Sequence, residues 1–301
     1  MKINKIALAF FGISFSWTFS WFAVKSQAIS QVPIYTSIGY RFILAGILCL
    51  IVLKVLMKKS LKINTSAIKF IFISSIFNCF LNFIVGYTSA KYIPTGITAA
   101  IMSLTIITSE IFNSIMEKKR PSKKTIMSGA VGFFGLSLFI YPTLKFSNSI
   151  VDTTIGFLCA IFMAIIVCPG YYAMKKCVQK HQTPLLHYIS YMFLFGGFMS
   201  ISMSKFINTA NSAMFDFSIA YISSLLYLAI FASCIAYISL YYLMDKIGVA
   251  KANYSSFIYT IGAISISTIF EDYEWSILNL AGFTIIMASV YMQFGKNEKT
   301  A

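Results

Sequence analysis

The sequence predicts an all-α integral membrane protein of ten transmembrane helices, arranged as two inverted five-helix repeats. Three observations carry that prediction. Of 301 residues, 58% are hydrophobic and 11% are charged, against about 25% charged in soluble domains; mean hydropathy is +0.79. Ten apolar runs of membrane-crossing length follow one another through short connections. A weak motif recurs at both ends of each half.

Composition first removes whole classes. A soluble domain of this length cannot bury so much apolar surface and keep a wettable exterior. A soluble enzyme and a nucleic-acid binder are excluded, although the net charge is +15. The 17% aromatic content excludes disorder. The apolar runs are continuous rather than alternating, which excludes a β-barrel. The cysteines, five within apolar runs and Cys177 at the edge of one, form no CxxC pair. They read as buried small hydrophobes, without disulfide or metal.

A helix needs about 20 residues to cross the hydrocarbon core. The first run, 6–27, follows Lys2 and Lys5. It is too long for a signal-peptide core and lacks a convincing cleavage pattern, so it reads as a retained helix. The second, 34–57, starts after Pro33 and contains Arg41. The third is 68–90, and the fourth, 95–116, follows Pro94. The fifth, 124–141, follows Pro121 and carries Gly129, Gly132 and Gly135, a close-packing face. The sixth, 154–174, contains Pro169-Gly170, which predicts a kink or break. The seventh, 184–204, opens on Pro184, and the remaining three are 217–243, 249–270 and 277–294.

The basic residues orient the chain. With the N-terminus cytoplasmic, nineteen fall on the inner side, clustered at Lys54–Lys69 and Lys118–Lys124 and at both termini. Four (Lys25, Lys91, Lys145 and Lys205) fall outside, and Arg41 lies within a span. Both termini are therefore expected in the cytoplasm. The lysine- and isoleucine-rich composition points to an AT-rich bacterial genome and hence to the bacterial inner membrane.

Phe22-Ala23-Val24-Lys25, followed by Pro33, is matched by Tyr172-Ala173-Met174-Lys175, followed by Pro184. Glu117 precedes Gly129 by twelve residues, and Glu271 precedes Gly282 by eleven. The expected repeats are residues 1–145 and 146–301. Five spans in each force opposite orientations across the membrane. That plan is common in secondary transporters, whose sites lie at mid-membrane between the repeats.

Polar groups are costly in lipid and should face the bundle interior. Stripes at helical spacing locate those faces. They are Ser14, Trp17, Trp21 and Lys25 in the first helix; Ser75, Asn78, Asn82, Gly86 and Ser89 in the third; Ser103, Ile106, Glu110, Asn113 and Glu117 in the fourth. Later come His187 and Tyr191, then Ser233, Tyr237 and Tyr241, then Asn253, Ser256, Thr260, Ala263, Ser267 and Glu271. The candidate cargo-binding residues are Trp17, Trp21, Asn78, Asn82, Glu110, Tyr191, Tyr237, Asn253 and Thr260. For Asn78 and Asn82, packing glue is an equal alternative. Glu110 could exchange a proton, bind a cationic cargo, or reach to the inner headgroups. Gating or structural roles are expected for Lys25, Glu117, Pro169, Gly170 and Glu271. Glu117 and Glu271 end helices where the macrodipole disfavours negative charge, so each should gain a partner elsewhere.

Several of these residues form short motifs in a telling order: Trp17 through Trp21 to Lys25, Pro33 with Arg41-Phe42-Ile43-Leu44-Ala45-Gly46, Tyr87-Thr88-Ser89-Ala90, and the two helix-end glutamates. Together they resemble the drug/metabolite transporter superfamily, specifically its EamA-type members, over nearly the whole chain. The chain departs from that pattern in having no proline within 103–106 or 257–260, and in carrying Glu110. The resemblance implies the ten-helix fold, a cavity lined by both repeats, a gating or structural role for Arg41, and transport of a small metabolite such as an amino acid. A secondary transporter working by alternating access is the expected function, since no Walker A motif is present. The weighed alternative is a membrane-embedded lipid-modifying enzyme or a flippase for a lipid-like substrate. No catalytic residue, metal or cofactor is expected. The expected partners are the metabolite and membrane lipids, with a proton or exchanged solute as candidate co-substrate and a second copy as candidate homodimer partner.

Overall fold

The computed structural model describes residues 5–145, 149–181, 183–207, 213–247, 252, 255–271 and 275–294. Among these there are helices and no strands. Eight helices are long and apolar enough to cross a membrane: α1 (Lys5–Ala28), α2 (Ile34–Leu56), α3 (Thr65–Tyr92), α4 (Thr95–Met116), α5 (Lys123–Thr143), α6 (Ile150–Val178), α7 (Leu185–Ile207) and α8 (Ile219–Ile247). Two shorter apolar helices, α9 (Ser255–Phe270) and α10 (Ile277–Phe294), occupy the last two predicted runs.

Local chemistry sets where the helices begin. Asn64 caps α3 by accepting the Ser66 amide at 3.1 Å. Ser149 accepts the Asp152 amide at 3.3 Å, and Ser218 the Tyr221 amide at 3.2 Å. Each satisfies an amide that the first helical turn leaves without a partner. Pro33 and Pro94 stand at the N-caps of α2 and α4.

Among the described residues, five places depart from regular α-helix. Wide π-type turns cover Val52–Leu56, Ser75–Leu81 and Leu228–Ile235. Those in α3 and α8 lie at corresponding places in the two halves. The fourth helix is interrupted between Met102 and Thr105, and the sixth between Ile166 and Cys168. The α4 break arises without proline. The Ser103 amide is shared between the Ala99 and Ala100 carbonyls, and its hydroxyl turns back to Ala100 at 2.6 Å. The break in α6 falls beside Pro169-Gly170, as the sequence predicts.

The repeats do not fold as separate bodies. Helix α2 packs extensively against α7, and α5 against α10. Helix α1 lies on α8 and α9, while α6 lies on α3 and α4. Each pairing therefore joins one half to the other. One hydrophobic core joins α1, α2, α3, α7 and α8 with the end of α6; the second joins α4, α5, α6, α9 and α10. Glycines line two close seams between the halves. A Cβ on Gly197 would lie 3.1 Å from the Gly39 carbonyl, and one on Gly282 would lie 2.7 Å from that of Gly135. Backbones approach so closely only where side chains are absent.

Candidate functional site

A cavity of about 80 Å³ lies beside the interruption of α4, whose Ser103 lines it. Its walls come from α1 (Trp17, Ser20, Trp21, Val24), α2 (Arg41), α3 (Asn82, Phe83) and α4 (Met102, Ser103, Thr105, Ile106). The second half supplies Met163 and Tyr171 from α6, Tyr237 and Leu240 from α8, and Ser255, Ser256 and Tyr259 from α9. A larger space of about 480 Å³ between α4, α5 and α6 is lined almost wholly by aliphatic and aromatic groups, Thr108 and Thr125 excepted. It offers no converging polar groups. Ligand sites are marked by such groups, which favours the smaller cavity.

The wide turn in α8 holds two of the lining side chains from behind. Its Ala232 carbonyl accepts the Trp17 indole Nε1–H at 3.1 Å. The next residue, Ser233, accepts the Arg41 Nε–H at 2.9 Å. Arg41 is only 1% exposed. Its guanidinium carbon lies 4.3 Å from the Phe83 ring centre and 5.1 Å from that of Phe42. Its Nη1 is buried and makes no hydrogen bond. Among the described residues no carboxylate pairs with it.

Part of the wall is aromatic. Trp17 meets Tyr237 and Tyr259 edge-on, with ring centres 6.0 and 5.2 Å apart. Tyr237 in turn packs edge-on against Phe193 and Tyr241. These contacts hold the rings in fixed orientations beside the cavity.

The structure brings Trp17, Trp21, Asn82, Tyr237 and Arg41 together, and it places several other predicted residues elsewhere. Asn78 is fully buried one turn away, where its Nδ2 donates to the Tyr241 hydroxyl at 3.4 Å and its backbone carbonyl accepts the Tyr237 hydroxyl. Tyr191 donates to the Leu61 carbonyl at 2.7 Å, and His187 bonds the Ser60 carbonyl at 2.7 Å; both fasten the α2–α3 connection to α7. Thr260 is buried against the Ala99 carbonyl, joining α9 to α4. Glu110 is exposed and lines neither cavity. Lys25 is half-buried in the last turn of α1. Asn253 lies outside the described residues. Sequence reasoning missed Ser20, Phe83, Tyr171, Ser255 and Tyr259. Tyr171 had a signal, since it directly follows Pro169-Gly170.

The residues expected to act structurally have definite partners. The Gly170 carbonyl accepts the Ser74 hydroxyl at 2.7 Å, tying the α6 break to α3. Glu271 accepts the Thr95 amide and hydroxyl and the Ser267 hydroxyl, each at 2.7 Å. The carboxylate at the C-terminal end of α9 thus caps the N-terminus of α4. The negative charge that its own helix disfavours is stabilised by the positive end of another. Glu117 ends α4 and pairs with Lys119 and Lys175 at 3.3 Å each. Those two lysines, Lys175 first, hold its carboxyl below the usual glutamate value. This contribution is present at neutral pH and is lost as pH falls through the lowered value. It is small, because the pair is partly exposed.

The comparisons with known proteins agree with this architecture. A crystal structure of a protein superposes with a TM-score of 0.67 over 96% of both chains at 12% identity, which shows a shared fold. No curated protein matches the chain. A model of the EamA-like transporter family matches twice, over residues 4–141 and 154–295, so the family unit occurs once in each half. With both halves matched across nearly the whole length, this chain belongs to the EamA-like transporter family.

Proposed function

We propose that the chain is a secondary transporter that carries a small metabolite across the bacterial inner membrane by alternating access. In this reading it has ten membrane helices in two inverted repeats, with both termini in the cytoplasm. The observation that carries the proposal is the cavity, which both repeats line and which holds polar groups without partners. A water molecule needs about 10–15 Å³. The cavity therefore holds a few waters in this state and must widen to admit cargo. The breaks in α4 and α6 supply places where rigid segments can hinge. Cargo contact is assigned to Trp17, Trp21, Asn82 and Tyr237. Energy comes from a proton gradient, from exchange, or from the cargo's own gradient.

The test is flux into proteoliposomes carrying the purified protein, with amino acids, hydroxy acids, amines and nucleosides as solutes. At least one solute should enter faster than into protein-free vesicles, and Trp17→Ala should remove most of that flux. Equal leakage of every solute through both vesicle types would reject transport of these classes. A lipid-like cargo would then take its place.

Rocking of one repeat against the other makes a second measurable claim. Cys49 on α2 and Cys234 on α8 belong to different halves, and their sulfurs lie 3.5 Å apart. A disulfide needs about 2.05 Å between sulfurs, a small approach. Oxidation with copper phenanthroline should join the two and arrest flux, and reduction should restore it. Cys49→Ser should be insensitive to the oxidant. Full flux in the cross-linked protein would show that α2 and α8 move as one body and would overturn this form of the motion.

A further inference from the structure

We propose that Arg41 and Asn82 form a recognition pair for a carboxylate that carries a hydrogen-bond donor on its neighbouring carbon. This assignment rests on the transport reading and narrows it to a substrate class. Placing a guanidinium out of water is expensive, and removing its partner leaves an uncompensated buried charge. Arg41 bears that cost in the resting structure. Its Nε is held by the Ser233 hydroxyl, the neutral Tyr87 hydroxyl stands close to the guanidinium, two phenyl rings lie beside it, and its Nη1 has nothing to bond. The described carboxylates are engaged or placed elsewhere. Glu117, Asp245 and Glu271 have partners of their own, Asp216 accepts the Ser218 amide at 2.8 Å, and Glu110 and Asp152 are exposed. None lines the cavity. The missing counter-charge is therefore one that an incoming ligand can supply.

Asn82 adds the complementary half. It is 3% exposed and lines the same cavity, and its Oδ1 also lacks a partner. It directly precedes Phe83, whose ring lies under the guanidinium. Two residues that line the cavity thus carry an unused cationic donor and an unused neutral acceptor. A carboxylate satisfies the first, with the planar fork geometry that arginine favours. A hydroxyl or ammonium on the adjacent carbon satisfies the second. The remaining walls, Trp17, Tyr237 and Tyr259, face the rest of the molecule with aromatic surface. A purely cationic cargo meets like charge at Arg41 and is disfavoured.

The probes are α-hydroxy and α-amino carboxylates, each tested beside its primary amide. Binding is read from thermal unfolding of the purified full chain, and transport from proteoliposome flux. At least one acid should bind, and its amide should bind about 10- to 100-fold more weakly, the loss expected for one charge-assisted interaction. Arg41→Gln should abolish the preference for acid over amide, and Arg41→Lys should restore part of it. Asn82→Leu should weaken the α-substituted acid but not the acid lacking that substituent. The acid–amide comparison on the unsubstituted protein stands even if a variant fails to fold. Equal binding of acid and amide, or an acid preference that survives Arg41→Gln, overturns the assignment. Transport of amines or nucleosides with no carboxylate bound overturns it while leaving the transport reading intact. No flux of any solute would instead count against the transport reading itself.

Discussion

Gly282→Ala should destabilise the protein by about 3 kcal/mol, the upper part of the usual range for overpacking. An added methyl would come within 2.5 Å of the Phe139 amide nitrogen and 2.7 Å of the Gly135 carbonyl oxygen. Both are backbone atoms, so no side chain can rotate aside. Either the α5–α10 seam opens or the helices shift, and each choice disturbs the core around Phe139 and Ile286. The control lies on the facing helix. At Gly129 a methyl would meet only the Ile107 side chain, at an ordinary 3.5 Å. Gly129→Ala should therefore be neutral or stabilising by up to about 1 kcal/mol, the gain from replacing helical glycine. Unfolding in a denaturant series in detergent separates the two. Similar midpoints for both variants would show that the seam is looser than described.

Gly129, Gly132 and Gly135 lie at helical spacing, and the sequence marks them as a packing face. The structure draws a distinction that spacing does not. Gly132 meets Ser289 and Gly135 meets the α10 backbone, whereas Gly129 is comparatively open. Which glycine is indispensable depends on where the partner helix crosses, and one helix's pattern does not contain that information.

The same limit governs the site. The spans are legible because lipid demands long apolar runs, and the structure places its helices over them. Trp17, Trp21 and Tyr237 are legible as aromatics within polar stripes. Asn78 and Asn82 look like neighbours on one face if each turn holds 3.6 residues. The wide turn over Ser75–Leu81 changes that rotation. Asn82 consequently faces the cavity, whereas Asn78 turns toward Tyr241 and the α6 break. Gly170 is part of the same arrangement, since a side chain there would strike Asn78. The expectation of a structural role for Arg41 came from its position in a motif. Its unused donor is visible only once Ser233 and Phe83 are in place around it.

Glu271→Ala should cost about 3–4 kcal/mol and should also weaken ligand binding, although Glu271 touches no part of the cavity. The carboxylate receives three hydrogen bonds at 2.7 Å, from Thr95 twice and from Ser267. Hydrogen bonds to a charged group contribute about 1.5–3 kcal/mol each, and bonds sharing one group do not simply add. Thr95 opens α4, whose next interruption places Ser103 and Thr105 in the cavity wall. Ser267 is on α9, which contributes Ser255, Ser256 and Tyr259 to the same wall. One carboxylate therefore fixes the relative position of two cavity helices at one end. Glu271→Gln keeps the size and one acceptor oxygen but loses the charge, and it should recover roughly half of the stability. Glu117→Ala is the instructive comparison, because it removes the helix-end acid of the other half. Its partners Lys119 and Lys175 are in contact with solvent, so the expected loss is below about 1 kcal/mol. Equal losses for the two alanine variants would mean that the capped junction contributes no more than a surface ion pair. A large loss confined to Glu271 would locate the rigid end of the α4–α9 pair, leaving the interruption after Met102 as the place where α4 is free to bend.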